Sequence, residues 1–250
     1  MSRISDDRLM AAAAVITALA AAALFLFVPP ITQDQSYHAF ADGRTIFGIR
    51  NFWNVVSNLP FAVAGVVGLW KTRGAGAKVL FAGVLMTCFG SAYYHLDPND
   101  ARLVWDRLPM TVVFMAFLFL VLTESRERRV AYLALMLAAG VASVVWWRIT
   151  GDLRPYAVVQ FGPAILLVAA SRNPAVRRRV LPVAGFYVLA KFAEHYDAAI
   201  FQVLPVSGHT LKHLAGALAC WFMLDFKQQQ IQAERDAHGL GGPRLHGAIN

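Results

Sequence analysis

The stretch AKVLFAGVLMTCFGSAYYHL, residues 77–96, decides the fold. After Lys78 it carries no formal charge, and a histidine, His95, stands at its far end. A helix of about 20 residues rises roughly 30 Å, the thickness of a bilayer's hydrocarbon core, so such a run crosses a membrane as one helix. Seven more apolar runs lie near 9–28, 53–70, 106–123, 130–147, 156–171, 180–198 and 208–225. The run at 156–171 is short and contains Pro163, and the one at 180–198 carries Lys191, Glu194, His195 and Asp197. The first run has Pro29 and Pro30 behind it where a signal peptide would have small residues, so it reads as a retained helix. With 58% hydrophobic residues, 15% charged residues and a mean hydropathy of +0.50, the chain is too apolar for a soluble domain. The expected fold is an all-α, multi-pass transmembrane helical bundle.

The net charge of +8 reports orientation rather than nucleic-acid binding. Of 23 Lys and Arg, 15 fall in the tails and alternate gaps: Arg3 and Arg8; Lys71, Arg73 and Lys78; Arg126, Arg128 and Arg129; Arg172, Arg177, Arg178 and Arg179; Lys227, Arg235 and Arg244. By the positive-inside rule these gaps and both termini are cytoplasmic. The organisation expected is a cytoplasmic N-terminus with an added helix over 1–28, a membrane domain over 29–225, and a polar tail over 226–250 that is helical at first and then disordered. Cys88 and Cys220 lie within apolar runs at no disulfide or metal spacing, and packing is their expected role.

Histidines and charges are costly in a membrane, so each is a candidate functional residue. His38, His95, His195, His209 and His213 all fall at outer helix ends or in outer loops, as do Asp34, Asp42, Asp97, Asp100, Asp106, Asp152, Glu194 and Asp197. His209 and His213 are four apart at the start of the last run and share a helical face. Two imidazoles leave a zinc site incomplete; His95, ending a run that travels outward, supplies a third at the same depth. The alternative is that a His pair at this spacing is ordinary helix surface. Ser91, one turn before His95, is placed to donate to an oxyanion or else to bond its own helix carbonyl. Asp106, taken to start its run, is placed to activate water beside a metal or else to cap the helix.

These residues resemble the alkaline ceramidases, within the membrane hydrolase superfamily that includes adiponectin-receptor-like proteins. The similarity is carried by Asn51-Phe-Trp-Asn54-Val-Val-Ser57-Asn58-Leu, Gly90-Ser91-x-x-x-His95, Asp106-x-Leu-Pro-Met110 and His209-x-x-x-His213. It implies a seven-helix core, with the first run an added eighth helix. It also implies Zn2+ on His95, His209 and His213, catalytic roles for Ser91 and Asp106, and hydrolysis of a membrane lipid amide such as ceramide. Eukaryotic members carry an acidic, calcium-binding segment ending in Glu before Phe-Trp-Asn; this chain has Asn51 there and lacks that segment, so the resemblance gives no ground for Ca2+. Arg107 stands where the family has Glu. Two rival classes are a lipid-responsive receptor or scaffold with a structural zinc, and a haem carrier with histidine axial ligands.

Smaller expectations concern the remaining polar residues. Asp34, His38 and Asp42 read as a solvated loop in preference to a second metal site. Arg154 is available to hold an anionic head group or to pair with Asp152. Lys191 and Glu194 are expected to form an ion pair. Trp53, Trp105, Trp146 and Trp147 are expected at the membrane interface.

Overall fold

The computed structural model describes residues 3–122 and 130–237, and every statement below concerns those residues. Arg126, Arg128, Arg129 and the tail beyond Ala237, expected to be disordered, lie outside them. The described chain is all-α, with one isolated bridge between Ile46 and Ile49 in place of any sheet. Its helices are α1 (Arg3–Phe27), α2 (Phe52–Val56), α3 (Leu59–Lys71), α4 (Ala75–Leu96), α5 (Asp100–Leu122), α6 (Val130–Thr150), α7 (Arg154–Ala170), α8 (Pro174–His195), α9 (Asp197–Phe201) and α10 (Gly208–Ala237). Four segments are long and apolar enough to cross a membrane: Phe52–Lys71, Ala75–Leu96, Asp100–Leu122 and Val130–Thr150. Ala11–Phe27 and Arg154–Ala170 are apolar but shorter.

Several boundaries differ from the sequence expectation, for local reasons. The run at 53–70 is two helices, because Pro60 has no N–H to give to the preceding turn and instead occupies the first turn of α3. The helix expected from 106 begins at Asp100, where the Asn99 side chain accepts from the Arg102 amide at 3.0 Å as an N-cap. Asp106 is therefore inside α5 and caps nothing. Gly151, at φ 76°, ends α6 in the left-handed conformation. Arg177, Arg178 and Arg179 are on the first turns of α8 rather than in a loop.

Neighbouring helices pack in the sequence α8, α10, α3, α4, α5, then α6 and α7, with α1 laid outside against α7. Between α7 and α8 contact is sparse, and Gln160 donating to the Tyr187 hydroxyl at 3.1 Å is one of the bonds that cross it. The main core joins α3, α4, α5 and α10 through residues such as Phe61, Phe81, Val84, Phe117 and Met223, and both free cysteines, Cys88 and Cys220, are packed in it. At the other end of the bundle a smaller cluster of Tyr94, Leu103, Val144, Trp147 and Tyr156 sits under the 28–51 segment. Trp53, Trp105 and Trp146 are exposed, as expected of interface anchors, but Trp147 is 3% exposed and belongs to this cluster.

Candidate metal centre

The histidines that converge come from opposite ends of the chain's last two-thirds. α4 delivers His95 on its final turn and α10 delivers His209 and His213 on its first two. All three are buried, and one nitrogen from each lies within 4.8 Å of the others, an arrangement that can hold a metal ion. The Nε2 atoms of His95 and His213 are 3.2 Å apart. His209 Nε2 is buried with no hydrogen-bond partner.

Close backbone packing puts the two helix ends at one level. A Cβ on Gly208 would collide with the Ala193 carbonyl of α8, so only glycine lets the start of α10 approach that helix. Asp197 then ties the start down: its Oδ1 accepts from the His209 amide at 2.6 Å and its Oδ2 from the Ala41 amide at 2.9 Å. Phe40, brought in by the same segment, packs its ring 4.7 Å from His95 and 4.5 Å from His209. The 28–51 segment thus forms an apolar cover over the histidines.

The stretch Asn51–Asn58 is the scaffold of the centre, which reading the sequence missed. Ser57 Oγ donates to the Asn54 carbonyl at 3.4 Å, leaving its oxygen to accept from His213 Nδ1–H at 2.8 Å. That assignment leaves His213 Nε2 with its lone pair facing the centre. Asn54 Oδ1 accepts from the Thr210 hydroxyl at 3.0 Å, and Asn51 Nδ2 donates to the His95 carbonyl at 2.8 Å. One short segment therefore fixes both histidine-bearing helix ends. Its motif was visible in the sequence, but nothing in a serine or asparagine marks it as a support.

Ser91 and Asp106 are also brought together. Both are buried, and the Ser91 hydroxyl is near enough to act on the Asp106 carboxyl. The pair exists because α4 and α5 touch at Gly90, where a Cβ would meet the Trp105 carbonyl. Ser91 precedes His95 by one helical turn, about 6 Å along α4, on the same face of that helix.

The other outer polar residues do something else. His38 lies between the Tyr94 hydroxyl at 2.8 Å and Asp100 Oδ1 at 3.0 Å, while Asp34 caps the short 3-10 helix Gln35–His38. Asp42 is 1% exposed and paired with Arg44, which overturns the expectation of a solvated loop there. The guanidinium of Arg44 holds that carboxyl below its ordinary range. Asp34, His38 and Asp42 thus have separate partners. Lys191 pairs with Glu194 as expected, but Glu194 also receives Lys212 at 2.6 Å and the Tyr37 hydroxyl at 3.2 Å. Lys212, between the two α10 histidines in sequence, was not singled out by the sequence. Arg154 pairs with Asp152 at 2.8 Å and donates to the carbonyls of Phe25 and Val28, fastening the end of α1.

Compared with known proteins, the chain matches the family model described as Ceramidase over residues 47–235. No curated protein matches it.

Proposed function

Because the chain belongs to the ceramidase family, we propose that it is a zinc-dependent intramembrane hydrolase of a lipid amide, ceramide-like, releasing a fatty acid and an amino-lipid. The observation that carries this reading is the buried group His95, His209 and His213, whose ligand atoms lie within 4.8 Å of one another; buried Ser91, one helical turn before His95, and buried Asp106 support it. Three imidazoles fit zinc by chemistry, and the 3.2 Å between two Nε2 atoms is close to the edge of a tetrahedral site with Zn–N of about 2.0–2.1 Å. The partnerless Nε2 of His209 supports the same assignment. When bound there, zinc polarises a carbonyl oxygen and lowers the pKa of water toward about 7.

The chain's own residues supply the remaining steps. Asp106 accepts a proton from the attacking water as the water oxygen bonds to the amide carbon. It returns that proton to the leaving nitrogen as the C–N bond breaks, so that one water yields one acid and one amine. Ser91 donates to the carbonyl oxygen as negative charge develops on it. Ser57 keeps the His213 ring in the ligating orientation, and Phe40 keeps bulk water from the centre. The fatty chain enters between helices. We assign eight membrane spans, a seven-helix unit with α1 added to it, both termini to the cytoplasm and the histidines to the opposite face, on the alternation of basic residues.

The test joins metal analysis to turnover. Purified protein should carry zinc near one per chain and release fatty acid from a panel of ceramides and other N-acyl lipids. Asp106→Ala should lower that release by about 10²–10⁴-fold. Equal release by the variant, or purified protein with no zinc, refutes the mechanism.

A further inference from the structure

Arg107 is a buried charge that the hydrolytic reading leaves unused. It follows Asp106 on α5, is 6% exposed, and lies 4.2 Å from the ring centroid of Trp147 and 4.6 Å from that of Tyr156. Its Nη2 donates to Gln33 Oε1 at 2.6 Å, and its Nη1 is buried with no partner. Several other cations at this end of the bundle have carboxylates: Arg44 has Asp42, Arg154 has Asp152, and Lys191 and Lys212 share Glu194; Arg148 has none but is exposed. Among the described residues, no carboxylate oxygen lies within 4.0 Å of Arg107, and Asp106 acts on it only at longer range.

A buried guanidinium without a carboxylate in direct contact is expensive, and two aromatic rings offset only part of that cost. The fork of donors suits a planar or tetrahedral oxyanion. The space for one is bounded by the partners of Arg107 and not by Arg107 itself. Gln33 and Trp147, the residues that hold Arg107, also line a cavity of about 300 Å³ at the histidine end of the bundle, together with Thr32, Asp100 and Arg148. The Asp100 carboxylate is engaged by His38 and Gln35. The volume suits a head group and is too small for an acyl chain as well.

We infer that this cavity receives the acidic head group of the substrate lipid, a phosphate, sulfonate or carboxylate, with Arg107 as its counter-charge. The preferred substrate is then an N-acyl lipid with an anionic head group, its amide lying over the neighbouring Asp106. The substrate half of this inference rests on the lipid-amidase reading; the anion site does not.

The experiment measures binding first. Full-length protein, stripped of metal and held in zwitterionic nanodiscs, is titrated with hexadecyl phosphate, hexadecanol and inorganic phosphate. The wild type should bind hexadecyl phosphate at least about tenfold more tightly than hexadecanol or inorganic phosphate. Arg107→Gln should erase that difference, and Arg107→Lys, which keeps the charge but loses the fork, should retain part of it. In zinc-loaded protein the ratio of KM for ceramide to KM for ceramide 1-phosphate should fall in the same order. Should Arg107→Gln fail to fold, the wild-type ranking and Arg107→Lys still decide. Equal binding of the two amphiphiles, full discrimination in either variant, or inorganic phosphate binding as well as the lipid overturns the proposal. Arg107-dependent binding with no amide hydrolysis would keep the anion site and refute the amidase; hydrolysis without charge preference would do the reverse.

Discussion

Removing the Ser57 hydroxyl leaves His213 Nδ1 without the partner that it has at 2.8 Å. Supports of this kind are worth roughly 10–100-fold in metal affinity. Ser57→Ala should therefore weaken zinc binding by that factor in competition with a chelator, while the thermal midpoint of the metal-free protein moves little. The contrast between Ser57 and the histidines shows what a sequence can disclose. Histidine inside a membrane advertises itself, because its residue type ligates metal and its placement is costly, so His95, His209 and His213 were legible together. Ser91 and Asp106 were singled out by their spacing and their family motif; Asp106 was expected at a helix start and lies inside α5. Ser57, Asn54 and Asn51 act through bonds to residues more than 40 positions away, and no local pattern encodes such a partner. Lys191 and Glu194, three apart, were legible by the same helical arithmetic that hid Lys212, whose bond to Glu194 crosses from α10 to α8.

Helices α4 and α5 owe their closest approach to Gly90, and the obstacle to any larger residue there is a backbone carbonyl that cannot rotate away. Gly90→Ala should cost about 1–3 kcal/mol by overpacking, read as a lowered thermal midpoint, and should part Ser91 from Asp106 and reduce turnover. The α6–α7 connection makes a different kind of tie. Asp152 accepts from Arg154 and from the Ile31 amide, and through Arg154 it holds the end of α1. Those bonds, the Arg154 guanidinium foremost, lower its pKa from 3.8 to about 2. A carboxyl depressed in the folded state adds stability that is full above its ordinary pKa and lost as pH falls through the folded one. The thermal midpoint of the wild type should exceed that of Asp152→Asn at neutral pH, by a difference equivalent to about 1–3 kcal/mol. That gap should shrink between about pH 4 and pH 2 and vanish below. Apolar length made the helices legible, whereas their ends depend on single residues: the Pro60 break and the Asn99 cap each moved a boundary that hydropathy placed elsewhere.

At the scale of the molecule, the three buried histidines and the ion pairs of Asp42, Asp152 and Glu194 lie at one end of an apolar bundle. The bundle is tightly joined from α8 through α10, α3 and α4 to α5, yet loosely joined where α7 meets α8. In the membrane hydrolase proposed above, such a seam in the wall opens onto lipid, not onto water. The reactant then arrives by diffusion in two dimensions, and the quantity that sets the encounter rate is its mole fraction in the bilayer. Velocity should fall when an inert phospholipid dilutes the substrate at constant bulk molarity, and should stay constant when vesicles of fixed composition are diluted with buffer. Assays of fatty-acid release in reconstituted vesicles, varied along both axes, check this; dependence on bulk concentration alone would mean entry from the aqueous side. For a catalyst fed through such a seam, affinity in the ordinary sense has no fixed molar value, and the composition of the surrounding membrane becomes the variable that governs its output.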